Sequence, residues 1–245
     1  GYGRQNQLIN SSNFSFFYGN EKEFTPNTPG DFPQDDPALA DHSRLLGLVR
    51  LDITPRQPYE VRYYRKELKP SIWPTFSFEY LHSFHMDEGW SDFRVLSAEI
   101  RHSAEIGLLS NLDWFLQTGY YLQNNSLHFS DFKHFKSSPL YIDMNGFDEA
   151  LMLMDYYEAS TSEYWIHADV NFSSSYLLIK FLPWFSERLW TESLRFSYVY
   201  TPQAPHYMQL GYSLNEIFFL ADLGVFVGFQ DGAYKGFGAR LNFRF

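Results

Sequence analysis

The sequence predicts an all-β chain, a transmembrane antiparallel β-barrel, and three observations carry that expectation. The first is the ending, Gly236-Phe237-Gly238-Ala239-Arg240-Leu241-Asn242-Phe243-Arg244-Phe245. From Phe237 on, Phe237, Ala239, Leu241, Phe243 and Phe245 alternate with Gly238, Arg240, Asn242 and Arg244. Successive strand side chains point to opposite faces, so one face of this segment suits lipid and the other suits water. The second is the aromatic content, 20% of residues, with 25 Phe, 18 Tyr and 6 Trp. Rings gather at both interfaces of membrane barrels. The third is a mean hydropathy of −0.35 with no uncharged apolar run of the roughly 18 residues a membrane helix needs. The most apolar stretches, Tyr176–Phe185 and Ile217–Phe229, contain Lys180 and Asp222. Barrel strands bury only alternate residues in lipid, so low hydropathy is compatible with them. A soluble β-sandwich is the competing all-β architecture. It requires the apolar faces to pack on one another and turns fewer large rings outward.

The elements follow in order. Asn13–Gly19 aligns Phe14, Phe16 and Tyr18. Leu45–Ile53 sets Leu45, Val49, Leu51 and Ile53 against Arg44, Arg50 and Asp52. Phe76, Phe78, Tyr80 and Phe84 oppose Ser77, Glu79 and Ser83, and Leu96, Ala98 and Ile100 continue the pattern. Over Leu108–Leu122, the residues Leu108, Leu112, Trp114, Leu116, Tyr120 and Leu122 oppose Asn111, Asp113 and Gln117. Ser162–Phe172 sets Tyr164, Ile166, Ala168 and Val170 against Glu163, His167, Asp169 and Asn171. Leu194, Phe196 and Tyr198 oppose Arg195 and Ser197; Met208, Leu210 and Tyr212 oppose Gln209 and Ser213; Val225, Val227 and Phe229 precede the final strand. This makes about ten strands of the length a tilted membrane strand needs.

Barrels of this kind keep the C-terminus and short turns in the periplasm and the longer loops outside. Counting back from Phe245 puts 230–235, 201–205, 124–161 and 24–40 outside, with Asn215-Glu216 as a tight periplasmic turn. Two periplasmic segments are long. Residues 54–72 include a strand-like piece, Tyr59–Arg65, and 174–190 reads as an amphipathic piece at the inner interface. The 245 residues form one large domain. The net charge of −10 argues against nucleic acid as a partner; a barrel wall has the lipid bilayer as its partner, and other outer-membrane or periplasmic proteins are expected beside it. No cysteine is present, so there is no thiolate or disulfide chemistry. The opening Gly1-Tyr2-Gly3-Arg4 has no signal-peptide pattern, and the chain is expected to be the C-terminal part of a longer polypeptide.

An ordered set of local patterns carries a family resemblance. They are Phe24-Thr25-Pro26-Asn27-Thr28-Pro29, Pro55-Arg56-Gln57-Pro58-Tyr59, Trp73-Pro74-Thr75-Phe76-Ser77-Phe78-Glu79-Tyr80, Asp131-Phe132-Lys133-His134-Phe135 and Tyr156-Tyr157-Glu158-Ala159-Ser160-Thr161-Ser162-Glu163-Tyr164. Together they resemble an uncharacterised group of Bacteroidota outer-membrane barrels whose members carry an N-terminal carboxypeptidase-regulatory-like domain. After His167 the chain departs from the group, with Phe172-Ser173-Ser174 where a Phe-Gly pair is expected. More distantly it is similar to the BamA and TamA kind of barrel. That resemblance implies the last ten or so of about sixteen strands, with the sixth outer loop tucked into the lumen. The loop here lacks that superfamily's Arg-Gly-aromatic motif, so insertase activity is not implied. The closing aromatic residues, Phe243 and Phe245, resemble an outer-membrane assembly signal.

For the long outer loop, two readings stand. Asp131, His134 and Phe135 either latch it inside the lumen through charge-assisted hydrogen bonds or belong to a solvated loop. Catalysis is a distant third. Asp41-His42 point to opposite faces, and His82 and His85 have no nucleophile at strand spacing. His167 and Asp169 share a polar face, which a lumen hydrogen-bond network explains. No His cluster has metal-ligand spacing, so neither metal nor cofactor is expected. Arg195, Arg240 and Arg244 face the lumen with Glu163, Asp169, Asp113 and Glu79. They form either a salt-bridged plug or the wall of a selective channel. Gly224, Gly228, Gly236 and Gly238 suit strand bends, and the six tryptophans (73, 90, 114, 165, 184 and 190) suit interface anchoring. The functional expectation is a non-enzymatic barrel in outer-membrane protein assembly, export or a surface complex, with a passive or selective channel as the alternative.

Overall fold

A computed structural model describes residues 2–5, 40–138, 141–143, 146–179 and 190–243. Within them the chain is all-β apart from a 3₁₀ turn at Phe129–Asp131 and single turns. The strands are β1 (Tyr2–Gln5), β2 (His42–Ile53), β3 (Tyr59–Arg62), β4 (Arg65–Leu68), β5 (Thr75–Ser83), β6 (Asp92–Glu105), β7 (Ser110–Ser126), β8 (Ile142–Asp143), β9 (Tyr164–Ser174), β10 (Thr191–Tyr200), β11 (Tyr207–Ile217), β12 (Ala221–Gln230) and β13 (Ala233–Phe243). One sheet runs β1-β2-β5-β6-β7-β9-β10-β11-β12-β13-β8, and β3-β4 form a separate hairpin. The long strands are antiparallel to their neighbours throughout. Only β8 runs parallel to its partner, matching Ile142 and Asp143 to Leu241 and Asn242. Among the described residues β1 and β8 are the edges, and no pairing joins them.

The alternation read from the sequence sorts the sheet's two faces, but the burial is the reverse of a soluble sheet. In β10, Glu192, Ser193, Arg195 and Ser197 are buried, while Leu194 and Phe196 are exposed. In β11, Gln209 is fully buried and its neighbour Leu210 is 49% exposed. In β13, Gly238, Arg240 and Asn242 are buried and Phe237 is 65% exposed. Leu116, Tyr120, Leu122, Ile166, Val170, Leu223 and Val225 extend the exposed apolar face across the sheet. A shallow apolar depression of about 530 Å³ on this face is lined by Val170, Phe172, Leu194, Leu210, Val225 and Phe237. Exposed single leucines are ordinary, but rows of them across adjoining strands are not.

The buried face is covered by the connection between β7 and β9. Its side chains complete all three apolar clusters. Leu151, Met154 and Ala159 pack on Val199, Ala204 and Tyr207. Phe147, Ala150 and Met152 pack on Phe226. Phe135 and Leu127 pack on the cluster of Phe93, Val95, Tyr121 and Trp165.

Some expectations shift. The tight turn expected at Asn215-Glu216 lies at Phe218–Leu220, because β11 runs on to Ile217. Asp222 Oδ1 accepts the Glu216 N–H at 2.9 Å and holds that corner. The strand-like piece Tyr59–Arg65 is the first strand and turn of a hairpin that extends to Leu68 and turns at Tyr63 and Tyr64, both at positive φ. Trp165 is turned inward rather than toward an interface. A Cβ on Gly119, its cross-strand partner, would lie 2.1 Å from the indole. Close packing also accounts for Gly224, where a Cβ would meet the Phe226 ring at 2.7 Å, and for Gly238, where it would meet Arg240 and Leu153. Gly228 sits at a register shift between β12 and β13, and a Cβ there would meet Leu153 and the Tyr207 hydroxyl at 3.3 Å. The Asn13–Gly19 strand, the motif at 24–29, most of the 24–40 loop, Trp184, Arg244 and Phe245 lie outside the described residues. So does most of the 174–190 segment, whose opening amides at Leu177, Leu178 and Ile179 bond to the Glu192 carboxylate at 2.7–3.0 Å.

Candidate functional site: the loop on the polar face

The described residues of 127–163 fold back over the inner face and bond to side chains of strand after strand. At the β2 end, Arg44 Nη1 donates to Asp131 Oδ1 at 3.2 Å. On β7, the Tyr121 hydroxyl donates to the Asp131 carbonyl at 2.8 Å, and Gln117 Oε1 accepts from Lys133 Nζ at 3.0 Å. Arg101 of β6 pairs with Glu149. Arg195 of β10 reaches Asp148 Oδ1 at 2.6 Å. Gln209 of β11 accepts from the Met152 and Leu153 N–H groups at 2.7 and 3.2 Å and donates to the Ala150 carbonyl at 3.3 Å. Arg240 of β13 donates to the Met152 carbonyl through Nε at 3.1 Å and Nη2 at 2.6 Å. Asn242 accepts the Gly146 N–H at 3.0 Å, and Lys235 pairs with Glu158. Backbone groups buried away from water need such partners, and here strand side chains provide them.

Asp131 is buried, with a side chain that no solvent reaches. Burial alone raises its pKa, but hydrogen bonds from His128 and Ser91 and the nearby His42 hold it below the ordinary carboxylate range. The Ser91 hydroxyl donates to its Oδ2 at 2.6 Å and the His128 N–H at 3.2 Å. His134 bridges Ser160 Oγ through Nδ1 at 2.8 Å and the Phe129 carbonyl through Nε2 at 2.9 Å. Burial, reinforced by the Lys133 cation, keeps its pKa below the usual 6.5 despite the Phe129 carbonyl. Burial likewise lowers the Lys133 pKa, against the pull of Glu99, Glu79 and Glu149. Phe135 packs edge-on against the His167 ring, 5.3 Å between centroids.

The expected lumen residues divide. His167, Asp169, Arg195 and Arg240 are buried on the inner face. Asp169 accepts from Ser197 Oγ at 2.6 Å and lies 3.9 Å from Arg195 Nε. Arg240 serves a loop carbonyl rather than a carboxylate. Glu163 is exposed, and its backbone rather than its carboxylate joins the sheet, accepting the Tyr121 N–H at 2.7 Å. It precedes the first residue of β9, so the strand's alternation does not yet govern it. Phe243 ends the described part of β13 opposite Ala221. A polar hollow of about 390 Å³, lined by Arg101, Asp113, Asp148, Asp169, Asn171 and Arg195, remains beside the loop.

Three residues the sequence did not associate come together at the loop's first turn. His42 and His128 stack in parallel, 3.8 Å between centroids, with Asp131 against both. Their separation along the chain hides the pair; only His128 and Asp131, three apart, carry a local signal. Ser91 joins them, but this is not a nucleophile–base–carboxylate relay. His128 Nδ1 faces both Ser91 and Asp131, whereas a relay uses the two ring nitrogens separately.

Comparison with curated proteins and with solved structures finds no match. The model of the C-terminal domain of a family of unknown function (DUF5686) matches residues 1–214, most of the chain, and the protein belongs to that family.

Proposed function

We propose that this chain is the membrane-spanning wall of an outer-membrane β-barrel, contributing about the last ten of some sixteen strands, with its lumen sealed by residues 127–163. The observation that carries the reading is the inverted sheet. Gln209, Arg195, Arg240 and Asn242 are buried, while Leu210, Leu194, Phe237 and Leu223 are exposed. A sheet in water buries its apolar rows; one in lipid with a polar interior does the opposite. The family resemblance supports an outer membrane, with the C-terminus of the chain periplasmic. Asp131, His134 and Phe135 act as a latch that keeps the loop folded inward.

A lumen filled by bonded loop backbone favours a scaffold over a pore. The role we assign is non-enzymatic: a component of outer-membrane protein assembly, export or a surface complex. Mild-detergent purification from native outer membranes, with mass spectrometry of what accompanies the protein, tests it. Stoichiometric recovery with assembly, export or surface-complex proteins is expected. Recovery alone, with stepwise conductance in planar bilayers, would replace this role with that of a selective channel.

A further inference from the structure

We propose that the β3–β4 hairpin binds the headgroups of an anionic phospholipid leaflet, with the apolar turns at the same end of the sheet seated beside it. The inference rests on reading the exposed sheet face as lipid-facing. The β2–β5 connection that holds the hairpin, the β6–β7 turn and the β11–β12 turn share one end of the antiparallel sheet. Turn chemistry there is the reverse of what water selects. Two-residue hairpin turns with both residues at positive φ ordinarily take Asn, Asp or Gly. At the opposite end the β12–β13 turn does so, with Asp231 and Gly232. Tyr63 and Tyr64 fill those positions in the β3–β4 hairpin, and Phe218 and Phe219 stand at positive φ in the β11–β12 turn. Bulky residues are strained in that conformation, and strain kept in an exposed turn points to a use for the side chains. Tyr63 is 95% exposed, and Tyr64 and Leu108 are entirely so. Ile72, Leu108 and Leu109 line one hollow at this end.

Charge selects the occupant. Residues 54–70 carry Arg56, Arg62, Arg65, Lys66 and Lys69 against Glu60 and Glu67, a cationic surplus in a chain of net charge −10. Glu60 is engaged within the hairpin by Arg62 at 3.3 Å and Lys69 at 2.8 Å. Arg65 and Lys66 have no carboxylate partner among the described residues, and Lys66 lies over the Tyr59 ring at 4.8 Å. Arg62 and Arg65 flank the tyrosine tip directly opposite each other. Like charges so placed destabilise a hairpin, and a phosphate between them removes the repulsion. Tyrosine rings settle at headgroup depth, and basic side chains beside them are drawn to anionic lipid. The apolar turns are spread from β2 to β12 rather than gathered in one patch, and the turn at Phe218–Leu220 runs on into Leu223 and Val225 of the exposed face. A leaflet meets all of them at once, whereas a protein partner covers one contiguous patch.

The chain has no cysteine, so single fluorophores can be attached through Tyr64→Cys or Leu116→Cys. The full chain is reconstituted in phosphatidylcholine vesicles with or without phosphatidylglycerol, and nitroxide-bearing lipids serve as quenchers. The label at 116 is expected to be quenched from the acyl chains in both lipids. The label at 64 should be quenched from the headgroups, several-fold more with phosphatidylglycerol than without. Arg62→Glu with Arg65→Glu should remove most of that difference while the label at 116 stays quenched, which shows that the variant still inserts. An unquenched label at 116 would overturn the membrane reading and this proposal with it. A quenched label at 116 with an unquenched label at 64, or quenching at 64 indifferent to phosphatidylglycerol, would overturn this proposal alone. Shielding of the label at 64 from aqueous iodide only when other outer-membrane proteins are added would assign the hairpin to a protein partner and overturn it equally.

Discussion

The Gln209 carboxamide and the Arg240 guanidinium hold the backbone of Met152: Gln209 Oε1 accepts the Met152 N–H at 2.7 Å, and Arg240 donates to the Met152 carbonyl at 2.6 Å. Two strands thus grip one loop residue from both sides. Gln209→Leu leaves the Met152 and Leu153 amides and the Ala150 carbonyl without these partners. Each buried unsatisfied group costs about 1–3 kcal/mol. The expected outcome is faster hydrogen exchange over 147–154, with β10 and β12 amides little changed. Because both side chains hold the backbone of one loop residue, Gln209→Leu and Arg240→Met should be non-additive in a double-mutant cycle.

His134 makes the loop sensitive to acid. Burial beside Lys133 depresses its pKa, and the rings of Phe129 and Tyr157 close over it at 4.9 and 5.3 Å. The packed loop therefore favours neutral His134, whereas a released loop takes up a proton near 6.5. The contribution is complete above that value and is lost as pH falls from it toward the depressed folded pKa. Limited proteolysis should cut the loop faster at acidic than at neutral pH. His134→Gln, which keeps a donor and an acceptor but does not titrate, should flatten this dependence.

Gly119 is required by Trp165. A Cβ there would lie 2.1 and 2.2 Å from the indole carbons. Gly119→Ala should lower stability by about 1–3 kcal/mol through overpacking, measured by denaturant unfolding in detergent. Trp165→Leu in that background should recover part of the loss, since it removes the clash.

On the exposed face, Leu116 and Leu210 decide between lipid and water. Arginine at either position should cost about 2–4 kcal/mol in a bilayer if it lies near the midplane. Exposed positions in water tolerate such changes within about 0.5 kcal/mol. Reversible unfolding from lipid vesicles distinguishes the two.

Much of the sheet was legible because alternation is a local signal: Tyr164, Ile166 and Val170 against His167 and Asp169 needs no tertiary knowledge. The loop's anchors were not legible in the same way. Asp131 meets Arg44 and Ser91 across long stretches of chain, and Gln209 and Arg240 bond to backbone, whose partners no side-chain pattern announces. Glycines 224 and 238 looked like bends because the ring and the guanidinium that need the space come from tertiary packing. The turn at Phe218–Leu220 was misplaced because it is apolar, against the polar-turn expectation.

The central claim is that the sheet's apolar face meets lipid and its polar face meets the folded loop. Nitroxide scanning along β9, from Trp165 to Asn171 in reconstituted protein, tests it most directly. Labels at 166, 168 and 170 should collide with oxygen far more than with a water-soluble nickel chelate, and labels at 165, 167 and 169 with neither. High chelate accessibility at 166, 168 and 170 would place that face in water and contradict the account.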